Sequence, residues 1–229
     1  MARLATHHKE GRDPNENDDR AVGGTCSRFA LADGASTSAR AEEWAEILVY
    51  AYVIKGVDIL DPIVLETLRS DWRRRVHAGD LPWYALAKLQ LGGAATFVGV
   101  DIDSDEQRYR AFAIGDACLL HIRRGRVITT GPLQHPRQFG RTPPLITTQV
   151  RDNSHQAALW EHGDGYARGD QLVLASDGLA KYLLEQHCNG ATIDLAAIPD
   201  NDNEFREWVA DARRAGMDND DTTICLVQL

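Results

Sequence analysis

From Ala94 to Thr130 the chain strings together apolar, β-branched and aromatic runs with only short polar turns between them. ATFVGVDI is followed by a turn at Asp103 to Glu106, then RYRAFAI, a Gly115-Asp116 turn, ACLLHI, Arg123-Arg124-Gly125 and RVITT. Runs of this composition punctuated by turn residues read as strands. Connections this short join antiparallel neighbours, because a parallel pair needs a crossover of helical length. The stretch therefore predicts an antiparallel meander and argues against a doubly wound parallel sheet.

Helical patterns flank this meander. Residues 28–33, RFALAD, read as a strand that Gly34 turns sharply, and Ser36, Thr37 or Ser38 offers an N-cap for a helix. Ala41, Trp44, Ala45, Leu48 and Tyr52 mark its buried face until Gly56. A second helix opens at Asp61-Pro62, with Val64, Leu68, Trp72 and Val76 as its stripe and Arg73 to Arg75 as a solvated, dipole-complementing end. A short helix is expected near 82–90. Further on, Leu172 to Ala175 repeats the strand, Asp-Gly, helix arrangement, with a helix from about Leu179 to His187. Phe205, Trp208, Val209 and Ala212 mark a last helix that stops at Gly216, and TTICLVQL forms a final strand. Residues 131–168, with Pro132, Pro136, Pro143 and Pro144, read as an irregular excursion able to border a site. The 229 residues are taken as one domain, 1–229.

Lys and Arg number 25 against 34 Asp and Glu, a formal charge of -9, so nucleic acid and anionic membrane surfaces are poor partners. Cys26, Cys118, Cys188 and Cys225 form no CxxC pair, which leaves a zinc ribbon or redox dithiol unsupported and reduced cytosolic thiols as the simplest reading. The first nineteen residues are polar and charged, and no run of about 18 apolar residues occurs, so neither secretion nor membrane spanning is expected.

Asp18-Asp19, Asp33-Gly34, Ser176-Asp177-Gly178 and Asp220-Asp221 each sit at the edge of an apolar or strand-like run, and Asp116 lies in a hairpin turn. Any one of them also reads as an ordinary polar loop, cap or turn. Together they suggest a cluster, and clustered carboxylates repel and raise one another's pKa unless a cation compensates. An all-oxygen donor set selects hard ions, Mg2+ or Mn2+, over zinc. Two such ions roughly 3.5–4 Å apart can generate hydroxide and neutralise phosphate oxygens during an in-line displacement.

In chain order these segments resemble the PPM-type, protein phosphatase 2C-like family of metal-dependent serine/threonine phosphatases, from about Asn15 to the C-terminus. NDDR at 17–20 looks like that family's N-x-D motif, FALADGAST at 29–37 its strand-DG segment, and GGAATFVGV at 92–100 its GGxT strand. AIGDACLLHI at 113–122 resembles its GDS-type hairpin, GDQLVLASDGL at 169–179 its GDxLLLxSDGL segment, and DDTTICLV at 220–227 its final strand. The form DGAST looks most like a compact bacterial branch. The resemblance implies an α+β fold, a sandwich of two antiparallel sheets flanked by pairs of helices, with metals in a cleft at one end. Asp33 would bridge two Mn2+ or Mg2+ ions, Asp19 and the Gly34 carbonyl would complete one site, and Asp177 with Asp220 the other. Asp116 would support a third, weaker ion or orient a water. The implied activity is hydrolysis of phosphoserine or phosphothreonine by direct attack of a metal-bound hydroxide, in a cytoplasmic monomer whose substrate is a protein phosphorylated by a cognate kinase.

Three departures bear on that transfer. Ala35 stands where the DGHGG form has its histidine, with His8 as a candidate substitute. The phosphate-binding arginine's position is Pro14, with Arg12 close enough to serve, alongside Asp33 and Asp177, if the loop bulges. Asp221 stands where asparagine is usual and would keep an oxygen ligand. Two alternatives remain: a regulatory or phosphate-sensing module without turnover, and a phosphatase for small phosphorylated metabolites.

Overall fold

A computed structural model describes residues 2–23, 27–77 and 89–229 of the chain. Its strands are β1 (Ala2–His7), β2 (Arg20–Val22), β3 (Arg28–Gly34), β4 (Ala94–Asp103), β5 (Arg108–Ile114), β6 (Cys118–Arg123), β7 (Arg126–Gly131), β8 (Ile146–Thr147), β9 (Trp160–Gly165), β10 (Gln171–Ala175) and β11 (Thr222–Gln228). Its helices are α1 (Ala41–Val53), α2 (Pro62–Val76), α3 (Asp177–Cys188) and α4 (Asp202–Arg214). One sheet runs β1-β11-β10-β6-β7 and the other β2-β3-β4-β5-β9, with β8 beside β4. The pairings among these strands are antiparallel, and the meander β4-β5 and β6-β7 is split between the two sheets at the Gly115-Asp116 turn.

The two-residue period of a strand sorts the side chains into three cores. Leu31, Val98, Val100, Leu119, Leu174 and Cys225 meet between the sheets. Their alternating neighbours Ala30, Ala32 and Phe97 face α1 and α2, where Trp44 and Trp72 are buried. Leu120, Val173 and Ile224 face α3 and α4 through Leu183 and Phe205. The result is an α+β architecture of four layers, a helix pair on the outer face of each sheet of a sandwich.

Local chemistry explains most helix ends and corrects one. Asp61 caps α2, its carboxylate accepting from the N–H groups of Ile63 and Val64 at 2.9 and 3.0 Å, with Pro62 in the first turn. The stripe of α2 runs through Leu65, Leu68, Trp72 and Val76, while Val64 is only partly buried. α1 does not take its expected Ser or Thr cap. Arg40 precedes it in the left-handed region, φ 48°, and caps nothing with its side chain. Ser38 is used elsewhere: its hydroxyl accepts from the Ala94 N–H at 3.0 Å and pins the turn to β4. α1 is stabilised instead by burial, since Trp44, Ala45, Leu48 and Val49 are fully enclosed.

Two strands escape the periodic pattern. β1 pairs with β11 and β9 with β5, each at the edge of its sheet. The excursion at 131–168 is thus less irregular than expected, holding β8, β9 and short 3-10 turns. The short helix expected near 82–90 lies largely outside the described residues, as does Cys26. Among the described residues, no helix is long and apolar enough to cross a membrane.

A polar chain joins the two sheets within this apolar interior. His121 on β6 is fully buried, with Nδ1 3.2 Å from the Tyr109 hydroxyl of β5 and Nε2 2.9 Å from Asp170. Asp170 also receives two guanidinium bonds from Arg123 at 2.7 Å and the Ala167 N–H at 2.8 Å. These donors, Arg123 foremost, hold its carboxyl well below the usual carboxylate range. Asp170→Asn is therefore expected to cost about 2–3 kcal/mol at pH 7 in urea denaturation. Because the folded carboxyl releases its proton more readily than the unfolded one, this contribution is complete above pH ~4 and fades below it. The gap between wild type and variant should close as the pH falls through that range.

Candidate metal centre

Sandwich topology carries the acidic residues to one end. β3 ends at Asp33-Gly34, β10 hands over to α3 at Asp177, β6 begins just after Asp116, and β11 begins just after Asp220-Asp221. The registers Ala175 to Cys118 and Ala175 to Ile224 align the last three, and Asp33 lies on the facing sheet. Asp33, Gly34, Asp116, Asp177 and Asp220 line a single cleft of about 470 Å³.

Asp19 reaches the cluster from behind, through a glycine. A Cβ on Gly34 would lie 2.7 Å from the Asp18 carbonyl oxygen and 2.8 Å from the Ala41 side chain, so only glycine lets the β1–β2 connection lie against the end of β3. That connection is held by Asp221, which accepts from the Lys9 N–H at 2.7 Å and the Asp18 N–H at 2.8 Å. Arg213 on α4 adds bonds to the carbonyls of Asp220 at 2.7 Å and His8 at 3.2 Å. Asp221 therefore serves as a clamp with both oxygens committed to backbone, not as the free oxygen ligand expected from its position. Asp218 turns away to pair with Lys181 at 2.7 Å, leaving Asp220 in the cleft.

The electrostatics are those of crowded acids. Burial raises the Asp33 carboxyl well above the ordinary range, and Asp19, Asp177, Asp116 and Asp220 all push it further. Asp33 keeps part of its surface open to the cleft although protein packs densely around it. Asp19 is also raised by burial, then by Asp221 and Asp177. The Thr223 and Ser176 hydroxyls temper that rise from nearby, yet they bond Thr6 and the Asp221 carbonyl, and among the described residues both Asp19 carboxylate oxygens are buried without a hydrogen-bond partner. Asp116 is pushed up to about 7 by burial and Asp177, and Asp177 to about 6 by burial and Asp220. Asp18 rises to about 6 through burial, Asp221 and Glu42, against the pull of Arg12.

A buried carboxylate with two orphaned oxygens and a second opposed by four others are polar groups short of a cation. Their donor set, oxygen throughout, fits a hard divalent ion. As the side chains stand, no three His, Cys, Asp or Glu among the described residues converge closely enough to hold one. A larger groove of about 660 Å³ under the β4–β5 turn is also acidic, but two of its acids are already engaged. Asp101 pairs with Arg28 at 3.0 Å and Asp103 caps its own turn.

The remaining candidates sit apart. Arg12 does not line the cleft and donates to Asp18 at 3.4 Å. His8 lies beside His7, ring centroids 4.5 Å apart and the rings tilted by 59°, along a groove on α4. Sequence reasoning missed Arg141, which lines the cleft from the 131–168 segment. Its only signal was the proline-rich company it keeps.

The fold has solved counterparts, similar over nearly their whole length but distant in sequence. The serine/threonine phosphatase PstP/Ppp of Mycobacterium tuberculosis superposes with a TM-score of 0.63 at 16% identity, covering 100% of this chain and 98% of that one. The PPM Ser-Thr phosphatase MsPP of Mycobacterium smegmatis, in complex with cacodylate, gives 0.57 at 22%, with 100% and 98% covered. A catalytic domain of PstP with two manganese ions gives 0.60 at 18%, with 99% and 96% covered. No curated protein matches in sequence. The family model described as protein phosphatase 2C matches residues 6–218, a span that takes in every acidic stretch except Asp220-Asp221, and the chain belongs to that family.

Proposed function

We propose that the protein is a Mn2+- or Mg2+-dependent phosphatase that hydrolyses phosphoserine or phosphothreonine in proteins. The observation that carries this reading is Asp33, embedded at the mouth of the sandwich with four further carboxylates bearing on it. Asp33 would be shared between two ions, with Asp19 and the Gly34 carbonyl on one side and Asp177 and Asp220 on the other. Asp116, beside Asp177 at the end of the same sheet, would hold a third ion or a water. Bound there, the ions supply Lewis acidity that activates water and offsets phosphoryl charge.

The chain's own residues do the rest. Burial and mutual repulsion keep the carboxylates poised for a cation, and the Asp221 clamp fixes the connection that carries Asp19. Ala35 lines the cleft where an imidazole would otherwise donate to the leaving group, so that proton comes from solvent. Cys118 and Cys225 are buried in the cores, and burial pushes both thiols up to about 12, which argues against a cysteine nucleophile. A kinase acting on serine or threonine in the same substrate would be the opposing activity.

The test is hydrolysis of p-nitrophenyl phosphate and phosphothreonine peptides with Mn2+ or Mg2+. Turnover abolished by chelation, and lowered about 10²-fold or more by Asp33→Asn or Asp177→Asn, is expected. Absence of turnover with either ion would sink the reading, and preference for sugar phosphates over peptides would redirect it to small metabolites. A second outcome separates metal binding from folding. In chelator-treated protein Asp33→Asn should raise the Tm by about 2–4 °C, since it removes an acid whose ionisation burial and the neighbouring carboxylates oppose. Added Mn2+ should raise the Tm of the wild type more than that of the variant.

A further inference from the structure

The segment from Pro132 to Leu145 bridges the two sheets above the cleft. At one end Leu133 and Phe139 pack against the core beneath α3 and α4. At the other, Ile146 is buried beneath α1 and α2, pairs with Ala95, and accepts the Trp44 indole N–H at 2.8 Å. Between these anchors Pro143 and Pro144 stiffen the backbone. The Pro144 carbonyl oxygen lies 2.7 Å from where a Cβ on Gly115 would be, so the bridge rests directly on the turn that carries Asp116. Gly115, at φ +98°, also avoids the Thr96 side chain there.

Arg141 sits in mid-span. It is the only cation among the described residues that line the cleft. It is exposed, and among the described residues it makes no hydrogen bond or ion pair, although Asp33, Asp116, Asp177 and Asp220 line the same cavity. Arg12, by contrast, is engaged with Asp18 and lies off the cleft.

We propose that Arg141 grips the non-transferred oxygens of the substrate's phosphoryl group from this bridge, a task left open by Arg12, which pairs with Asp18 and does not line the cleft. This assignment rests on the phosphatase reading above. A guanidinium presents two parallel N–H donors matched to a phosphate edge, and a bridge anchored in both cores holds that fork over the acidic floor.

The experiment measures two quantities on the Mn2+-treated full chain: the Kd for inorganic phosphate by calorimetry, and KM for p-nitrophenyl phosphate. Arg141→Ala is expected to raise both about tenfold, and Arg141→Lys to recover only part of the loss, because a point charge lacks the fork. Arg137→Ala, which removes an exposed arginine of the same segment outside the cleft, should change either by less than about threefold. Arg141→Ala with wild-type Kd and KM overturns the proposal, as does an Arg137→Ala effect of equal size, which would mark general charge attraction. Wild type that binds phosphate without turnover overturns the phosphatase reading and leaves Arg141 to be decided by Kd alone. Wild type that neither binds nor hydrolyses overturns both.

Discussion

Two antiparallel sheets pressed face to face make up the contact on which everything else in the molecule rests. Leu31, Val98 and Val100 from one sheet meet Leu119, Leu174 and Cys225 from the other, with the buried Tyr109, His121 and Asp170 chain crossing between them. Aligned packing fixes where the strands of one sheet stop relative to those of the other. Asp33 is brought opposite Asp116, Asp177 and Asp220 by apolar side chains that have no chemistry of their own. A slip of one residue in β3 would turn Leu31 outward and move Asp33 off the cleft together.

The acids of the sandwich divide into two kinds. Asp170 and Asp221 are fully engaged, the first by Arg123, His121 and a backbone amide, the second by two backbone amides, and they hold structure. Asp19 and Asp33 are crowded by like charge, and the oxygens of Asp19 have no hydrogen-bond partner among the described residues. Satisfaction of hydrogen-bonding capacity, not the count of acidic residues, separates scaffold from candidate ligand.

Much of this was legible in the sequence because it follows from periodicity. The meander, the Asp61-Pro62 start of α2 and the repeated strand, Asp-Gly, helix unit are local signals, and the structure realises each. What escaped notice has physical causes. Among the described strands β1 and β9 are edge strands with one partner each, and residues such as Leu4, Glu161 and Asp164 face solvent there, so the alternation that marks a central strand is absent. Ser38 looked like a cap because hydroxyls near helix starts usually are, but β4 supplied it with a better-placed partner. Asp221 and Arg141 depend on contacts between segments far apart in the chain, which spacing does not encode.

The clamp between Asp221 and the Asp18 N–H joins residues 203 positions apart. Among the described residues β1 likewise pairs only with β11, which is translated far later. During synthesis at roughly 5–20 residues per second, Asp18 and Asp19 therefore exist for about 10–40 s before their anchor has been translated. Until then β10 lacks its neighbour β11, and the crowding of carboxylates that defines the centre has not yet arisen. Competence to bind a cation would thus appear late and all at once, when the Asp220-Asp221 turn and β11 join segments made long before them.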